Sequence, residues 1–129
     1  MMLSGKDLAA YRNGEILFKD LSFRLFPQQL MTITGPNGIG KSTLLRIIVG
    51  LLEASEGHIV LKDYEQRYSV ATACHYLGSQ NAMKPFLSVI ENLQFWAAFY
   101  GQPLYSPYEA LADIGLSDLE YLPFKTLST

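Results

Sequence analysis

Apolar and polar positions alternate along the first quarter of the chain and recur at helical spacing in its last third. Asp7 to Tyr11 and Glu15 to Phe18 are short strand-like runs flanking Arg12-Asn13-Gly14, and Asn-Gly between two such runs predicts a hairpin. Leu21-Ser22-Phe23-Arg24-Leu25 puts its apolar residues on one face, as a half-buried strand does. After the turn Pro27-Gln28-Gln29, Leu30 to Thr34 reads as a buried strand and Leu44 to Leu51 as a helix. Further strands are expected at His58 to Leu61 and Ala71 to Leu77, joined by a polar link from Lys62 to Ser69.

From Ser88 the period becomes helical. Ser88 and Glu91 have the spacing of a capping box, Gly101 stands where a helix ends, and Ser106-Pro107-Tyr108-Glu109 repeats the start signal before a stop at Gly115. Ser117 to Glu120 predicts a third capping box. On the helix from Ser88, one stripe of Val89, Ile90, Leu93, Trp96, Ala97 and Tyr100 reads as core, while Phe95 and Phe99 fall on the other side. Two parts are expected, a β-rich one over 1–87 and a helical one over 88–129.

Composition narrows the class without naming a chemistry. Of 129 residues 49% are hydrophobic, so the chain holds enough apolar side chain for a core and is not disordered. The formal net charge of −2 supplies no general attraction to nucleic acid or anionic lipid. The apolar runs are too short to insert in a bilayer and the first residues lack the apolar segment of a signal peptide; with Cys74 the lone cysteine, a reducing cytoplasmic setting is expected. Cys74 has no cysteine to pair with and reads as a small hydrophobe; His58 and His75 lie in expected strands without metal-ligand companions.

The chemistry concentrates between the expected strand at Leu30 to Thr34 and the expected helix. Gly35-Pro36-Asn37-Gly38-Ile39-Gly40-Lys41-Ser42-Thr43 fits the phosphate-binding P-loop, G-x-x-x-x-G-K-[ST]. Glycines let the backbone take positive φ and approach phosphate oxygens, and the loop's N–H groups form an anion nest at the positive end of the helix dipole. Lys41 would reach the β- and γ-phosphates, and the Ser42 hydroxyl would hold Mg²⁺.

Together these features resemble the ATPase subunits of ABC transporters. The resemblance implies an α/β P-loop NTPase with a RecA-like core, an N-terminal antiparallel β layer and the start of a helical subdomain. Tyr11 stands where that family carries an aromatic stacked on adenine, Thr43 matches a hydroxyl that reaches the α-phosphate, and Gly57-His58-Ile59 resembles a family turn. Gly78-Ser79-Gln80 resembles the Q-loop, which makes Gln80 a contact for Mg²⁺ and the attacking water. Leu127-Ser128-Thr129 is similar to the opening of the signature motif, so the chain is expected to be the N-terminal part of such a domain, truncated inside that motif. Within the family, His75 to Gln80, Met83-Lys84 and Glu91 to Trp96 are similar to the haem-exporter ATPases of cytochrome c maturation.

The resemblance further implies ATP and Mg²⁺ as cofactors, an integral membrane permease and a second ATPase domain as partners, and a peripheral place on the inner face of the cell membrane. It implies no nucleic acid and no direct membrane insertion. ATP hydrolysis would drive export of haem or a related solute. The 129 residues contain no apolar run ending in Asp-Glu, the Walker B pattern, and no switch histidine is identified. The alternatives are a nucleotide-binding module that does not hydrolyse, an ABC ATPase for another solute and, least favoured, a P-loop kinase.

Overall fold

The computed structural model describes residues 1–101 and 105–127. It resolves two compact units, Met1–Tyr76 and Leu77–Thr129. The first unit is built on a four-stranded antiparallel sheet in the order β2-β1-β3-β4, with β1 at Met2–Arg12, β2 at Glu15–Leu25, β3 at Glu56–Asp63 and β4 at Gln66–Tyr68. The expected hairpin forms: Asn13 (φ 52°) and Gly14 (φ 81°) both take the left-handed conformation of a two-residue primed turn. The run Leu21 to Leu25 is not a separate strand but continues β2 past Asp20, whose φ is 54°. At this irregularity Ser22 Oγ accepts from the Asp7 N–H at 2.9 Å and donates to Asp7 Oδ1 at 3.3 Å.

Helix α1 (Lys41–Ile48) buries Leu44, Ile47 and Ile48. Leu44 and Ile48 cluster with Leu8 of β1, and Phe18, Met31, Ile33 and Ile59 pack around them. This apolar contact seats the helix, and with it the glycine loop that precedes it, on the sheet.

Two expected strands are not strands here. Leu30 to Thr34 runs without a ladder partner among the described residues, although Met31 and Ile33 reach the core while Leu30 is 92% exposed. Alternation alone puts one face of the run on the core, but a strand also needs a neighbour's N–H and C=O groups. Ala71 to Leu77 instead contributes to a short helix α2 (Val70–Ala73), followed by residues with no ladder. The polar link from Lys62 is more ordered than expected, since Asp63↔Gln66 closes a hairpin between β3 and β4.

The second unit holds α3 (Val89–Tyr100) and α4 (Pro107–Asp113), whose buried Val89, Ile90 and Leu111 form its core with Leu93, Phe124 and Leu127. Both expected capping boxes form, at Ser88/Glu91 and Ser106/Glu109. The third does not: Ser117–Leu119 is a single 3₁₀ turn capped by Leu116, so Ser117 lies inside the turn and Glu120 just past it. The backbone from Glu120 to Lys125 instead hydrogen-bonds the segment 85–90, with the Val89 N–H donating to the Leu122 carbonyl at 3.0 Å and the Ile90 N–H to the Glu120 carbonyl at 2.9 Å. Asn92, only 2% exposed, accepts from the Lys84 N–H at 2.7 Å and donates to the carbonyls of Lys84 and Ser88, both at 3.0 Å. Among the described residues no helix is long and apolar enough to cross a membrane.

Candidate nucleotide-phosphate site

Gly35 to Gly40 form a loop against the hairpin of β1 and β2. Gly40, with φ 107°, is the residue that turns the chain into α1, and a Cβ built there would stand 3.2 Å from Phe18 Cδ1 and 3.3 Å from Leu17 Cβ. A side chain at this position would meet both backbone strain and steric crowding. Gly38, with φ 83°, borders open space, so only its backbone angle asks for glycine.

The start of α1 is chemically distinct. The first N–H of the helix to find a carbonyl is that of Leu44, which donates to Gly40 at 2.8 Å. Those of Lys41, Ser42 and Thr43 have no acceptor among the described residues, Gly40 has no side chain to cap them, and the first turn holds no acidic residue. Three N–H groups with no protein acceptor, at the positive end of a helix dipole, suit an anion. The Lys41 ammonium donates to the carbonyls of Gly35 at 2.6 Å and Pro36 at 2.7 Å, which holds the cation across the loop. The Ser42 side chain is exposed and that of Thr43 half-buried.

A cavity of about 220 Å³ opens here, lined by Asn37, Gly38, Gly40, Lys41, Ser42 and Thr43, and on the hairpin side by Arg12 and Leu17. Its lining joins backbone donors, one ammonium, one guanidinium and two hydroxyls, a set that fits a polyphosphate. A larger hollow, of about 810 Å³, lies over the sheet beside Ser4, Lys6, Arg24 and His58. It is bigger but contains no such array of backbone donors, and the chemistry belongs to the smaller cavity.

The structure brings Gly35 to Thr43 together around one cavity. Tyr11 does not line the cavity. Its hydroxyl donates to Glu56 Oε1 at 2.7 Å, a bond that, with Glu56's negative charge, raises the phenol above its ordinary pKa. Its N–H donates to Ser55 Oγ at 3.3 Å, so the side chain and the backbone of Tyr11 both engage the segment entering β3. Gln80 is exposed in the second unit, and its side chain makes no hydrogen bond among the described residues. Ser128 and Thr129, expected to open the signature motif, lie outside the described residues. Arg12 and Leu17 are lining residues that the motif could not announce. The only sequence signal is their place on either side of the Asn13-Gly14 turn.

Among the described residues no group of three or more His, Cys, Asp or Glu residues could hold a metal ion. The side-chain oxygens lining the cavity are the Ser42 and Thr43 hydroxyls and the Asn37 amide, none of them a carboxylate, which suits a hard cation carried in by phosphate rather than a metal caged by protein.

The sequence profile described as ABC transporter matches residues 18–129. Among curated proteins, the cytochrome c biogenesis ATP-binding export protein CcmA of Bartonella henselae is 79% identical over all 129 residues, and that of Bartonella quintana 80%. The protein of the same name from Brucella abortus is 50% identical over 129 residues. The chain spans about 62% of the length of the two Bartonella proteins and about 60% of the Brucella one. Among solved structures, a putative ABC transporter ATP-binding protein from Pyrococcus furiosus superposes with a TM-score of 0.80 at 22% identity, over 99% of this chain and 64% of that one. An ATP-binding cassette solved as a dimer in a post-hydrolysis state with ADP and Pi gives 0.77 at 21% identity, over 98% and 63%.

Proposed function

The chain belongs to the ABC transporter family, and we propose that it binds Mg²⁺-ATP through Gly35 to Thr43 as part of an ATPase that drives export in cytochrome c biogenesis. The observation that carries the binding reading is the trio of N–H groups at Lys41, Ser42 and Thr43 left without protein acceptors under a lysine and two positive-φ glycines. Lys41 would exchange its carbonyl contacts for β- and γ-phosphate oxygens, and the Thr43 hydroxyl would meet the α-phosphate. The Ser42 hydroxyl would hold Mg²⁺, with Gln80 completing its surroundings and placing water. Mg²⁺ supplies neutralisation of the charge that develops between the β- and γ-phosphates.

The export step rests on the shared name of the relatives. The solute follows from cytochrome c chemistry, in which haem is the group to be delivered, so haem or a related solute is the cargo. A permease in the cell membrane is the partner that would hold the chain at its inner face. Phe95 and Phe99 of α3 are exposed, ring against ring with Trp96 at 5.3 and 5.5 Å, and offer such a partner an aromatic ridge. A second ATPase domain would complete the catalytic site; the structural neighbour bound to ADP and Pi is itself a dimer.

A binding-only reading applies to these 129 residues taken alone. They contain no apolar strand ending in Asp-Glu to orient the attacking water, and Leu30 to Thr34 has no ladder partner among the described residues. Equilibrium titration of Mg²⁺-ATP against the chain and its Lys41→Ala variant tests the site. A charge-assisted contact contributes about 1.5–3 kcal/mol, so affinity falls roughly tenfold or more. Equal affinity in a folded variant would refute the assignment. Steady-state phosphate release from the purified 129-residue chain should not exceed that of Lys41→Ala, and Lys41-dependent turnover would overturn the binding-only reading.

A further inference from the structure

We propose that the face of the sheet turned away from α1 is a docking surface for anionic phospholipid headgroups. It rests on the membrane placement proposed above and not on the nucleotide site, since none of its residues lines the phosphate cavity. β1 pairs with β3 from Met2 to Lys6, and with β2 from Leu3 to Gly5, without a shift of register. Residues directly opposite in such ladders share a face. One face is core, where Leu3, Phe23 and Ile59 pack against Leu8, Leu44 and Ile48. On the other, Ser4 stands opposite Arg24, Lys6 opposite His58, Met2 opposite Lys62, and Lys62 opposite Arg67. A chain with a net charge of −2 and ten lysines and arginines thus places four of them on one sheet face.

A merely solvated face intersperses both signs. Along this regular ladder the face carries no acidic residue. Asp7 and Asp20, both at positive φ, stand at the irregularity beyond it, and the Asp7 carboxylate accepts from the Ser22 hydroxyl. Asp63 is held by the N-terminal ammonium at 2.6 Å. Lys6, Arg24, Lys62 and Arg67 are exposed, and their side chains form no ion pair or hydrogen bond among the described residues. Lys6 from β1, Arg24 from β2 and His58 from β3 line the hollow of about 810 Å³, together with Ser4 and Asp7. Two cations and the Ser4 hydroxyl there suit one headgroup phosphate.

The rest of the face decides between polyanions. Single-stranded nucleic acid calls for aromatic platforms, and this stretch holds no Phe, Tyr or Trp on the face. An acidic protein calls for a buried anchor, and the apolar residues here are only Met2 and Val60, both half-buried. A headgroup layer needs neither, only cations spread over an open surface, here roughly 14 Å across three strand spacings.

The test is co-sedimentation of the 129-residue chain with vesicles of phosphatidylcholine and of phosphatidylcholine mixed equally with phosphatidylglycerol. The native chain should bind only the mixed vesicles. Salt raised from about 0.1 to about 1 M shortens the screening length from about 10 to about 3 Å and should release it. Arg24→Gln/Lys62→Gln/Arg67→Gln should weaken partitioning roughly fivefold per residue, on the order of a hundredfold in all. Arg46→Gln/Lys84→Gln/Lys125→Gln, which removes as many charges elsewhere, should weaken it less than threefold. Circular dichroism and Mg²⁺-ATP titration show that both variants are folded. Equal losses in the two variants, equal binding to neutral vesicles, or no binding to the mixed ones would overturn the proposal. Salt-sensitive binding of poly-glutamate or duplex DNA in place of the mixed vesicles would overturn it too, in favour of an acidic protein or nucleic acid. The vesicles contain no permease, so failure of the permease reading leaves these outcomes unchanged.

Discussion

Helices α1 and α3 begin in opposite ways, and the difference separates a binding site from a structural joint. In α3 each of the first three N–H groups is taken: Val89 by the Leu122 carbonyl, Ile90 by that of Glu120, and Glu91 by Ser88 Oγ at 3.2 Å. The Glu91 carboxylate closes the box by accepting from the Ser88 N–H and hydroxyl, both at 2.8 Å. In α1 the corresponding groups of Lys41, Ser42 and Thr43 are left over, and glycine replaces the capping serine. A helix start that its own chain satisfies has nothing to offer an anion. One left unsatisfied beside a lysine costs stability until an anion arrives.

The largest way to sharpen that contrast is to add the ligand. One-site binding at a hundred times Kd stabilises the binding form by about 2.7 kcal/mol. Mg²⁺-ATP should thus raise hydrogen-exchange protection at Lys41 to Thr43, while the first-turn amides of α3, already bonded, gain none directly. Equal gains at both helix starts would show that the two do not differ in the way argued.

The contrast breaks if α1 is given a cap of its own. Gly40→Asp would place a carboxylate near the Thr43 N–H, but a non-glycine residue at φ 107° costs about 1–3 kcal/mol. Phe18 and Leu17 crowd its Cβ besides. The variant should lose both stability in a denaturant melt and ATP binding in a titration. ATP affinity that survived would mean that the phosphates lie elsewhere. A milder change serves α3, where Ser88→Ala should cost about 1 kcal/mol, read from the Trp96 fluorescence midpoint, and leave ATP affinity alone.

How much of this could be read from the sequence follows the distance over which each feature is built. The P-loop, the Asn13-Gly14 turn and the boxes at Ser88 and Ser106 are each specified within a few neighbouring residues, and each forms as expected. Leu30 to Thr34 and Ala71 to Leu77 have the pattern of strands, but a ladder depends on what lies alongside, and no pattern within a run supplies that. Ser117 to Glu120 has the letters of a capping box, yet the backbone there serves the start of α3 and stays a single 3₁₀ turn. That the Tyr11 hydroxyl is held by Glu56 could not be read from its own stretch, because Glu56 lies far along the chain. Asn92 gave no signal in advance, since its bonds run to backbone groups of a loop without a pattern of its own.

The smallest expected effect distinguishes the two helix starts by pH. Glu91 accepts hydrogen bonds from the backbone and then the hydroxyl of Ser88, and Glu109 does so from Ser106; both carboxyls are held below the usual carboxylate range. A carboxylate with a lowered folded-state pKa contributes stability that is present above its unfolded pKa and lost as pH falls through the folded one. Acid should therefore loosen the starts of α3 and α4 by protonating their caps. The start of α1, with no acidic residue in its first turn, has no cap to lose. Both carboxyls are solvent-exposed, so the loss is small and best read as a difference between variants. Trp96, the only tryptophan of the chain, lies on α3 and reports its unit. Its unfolding midpoint should fall more steeply toward acid in the native chain than in Glu91→Gln/Glu109→Gln, the two curves converging below the folded pKa values. Identical slopes in both proteins would mean that the boxes contribute nothing that protonation removes.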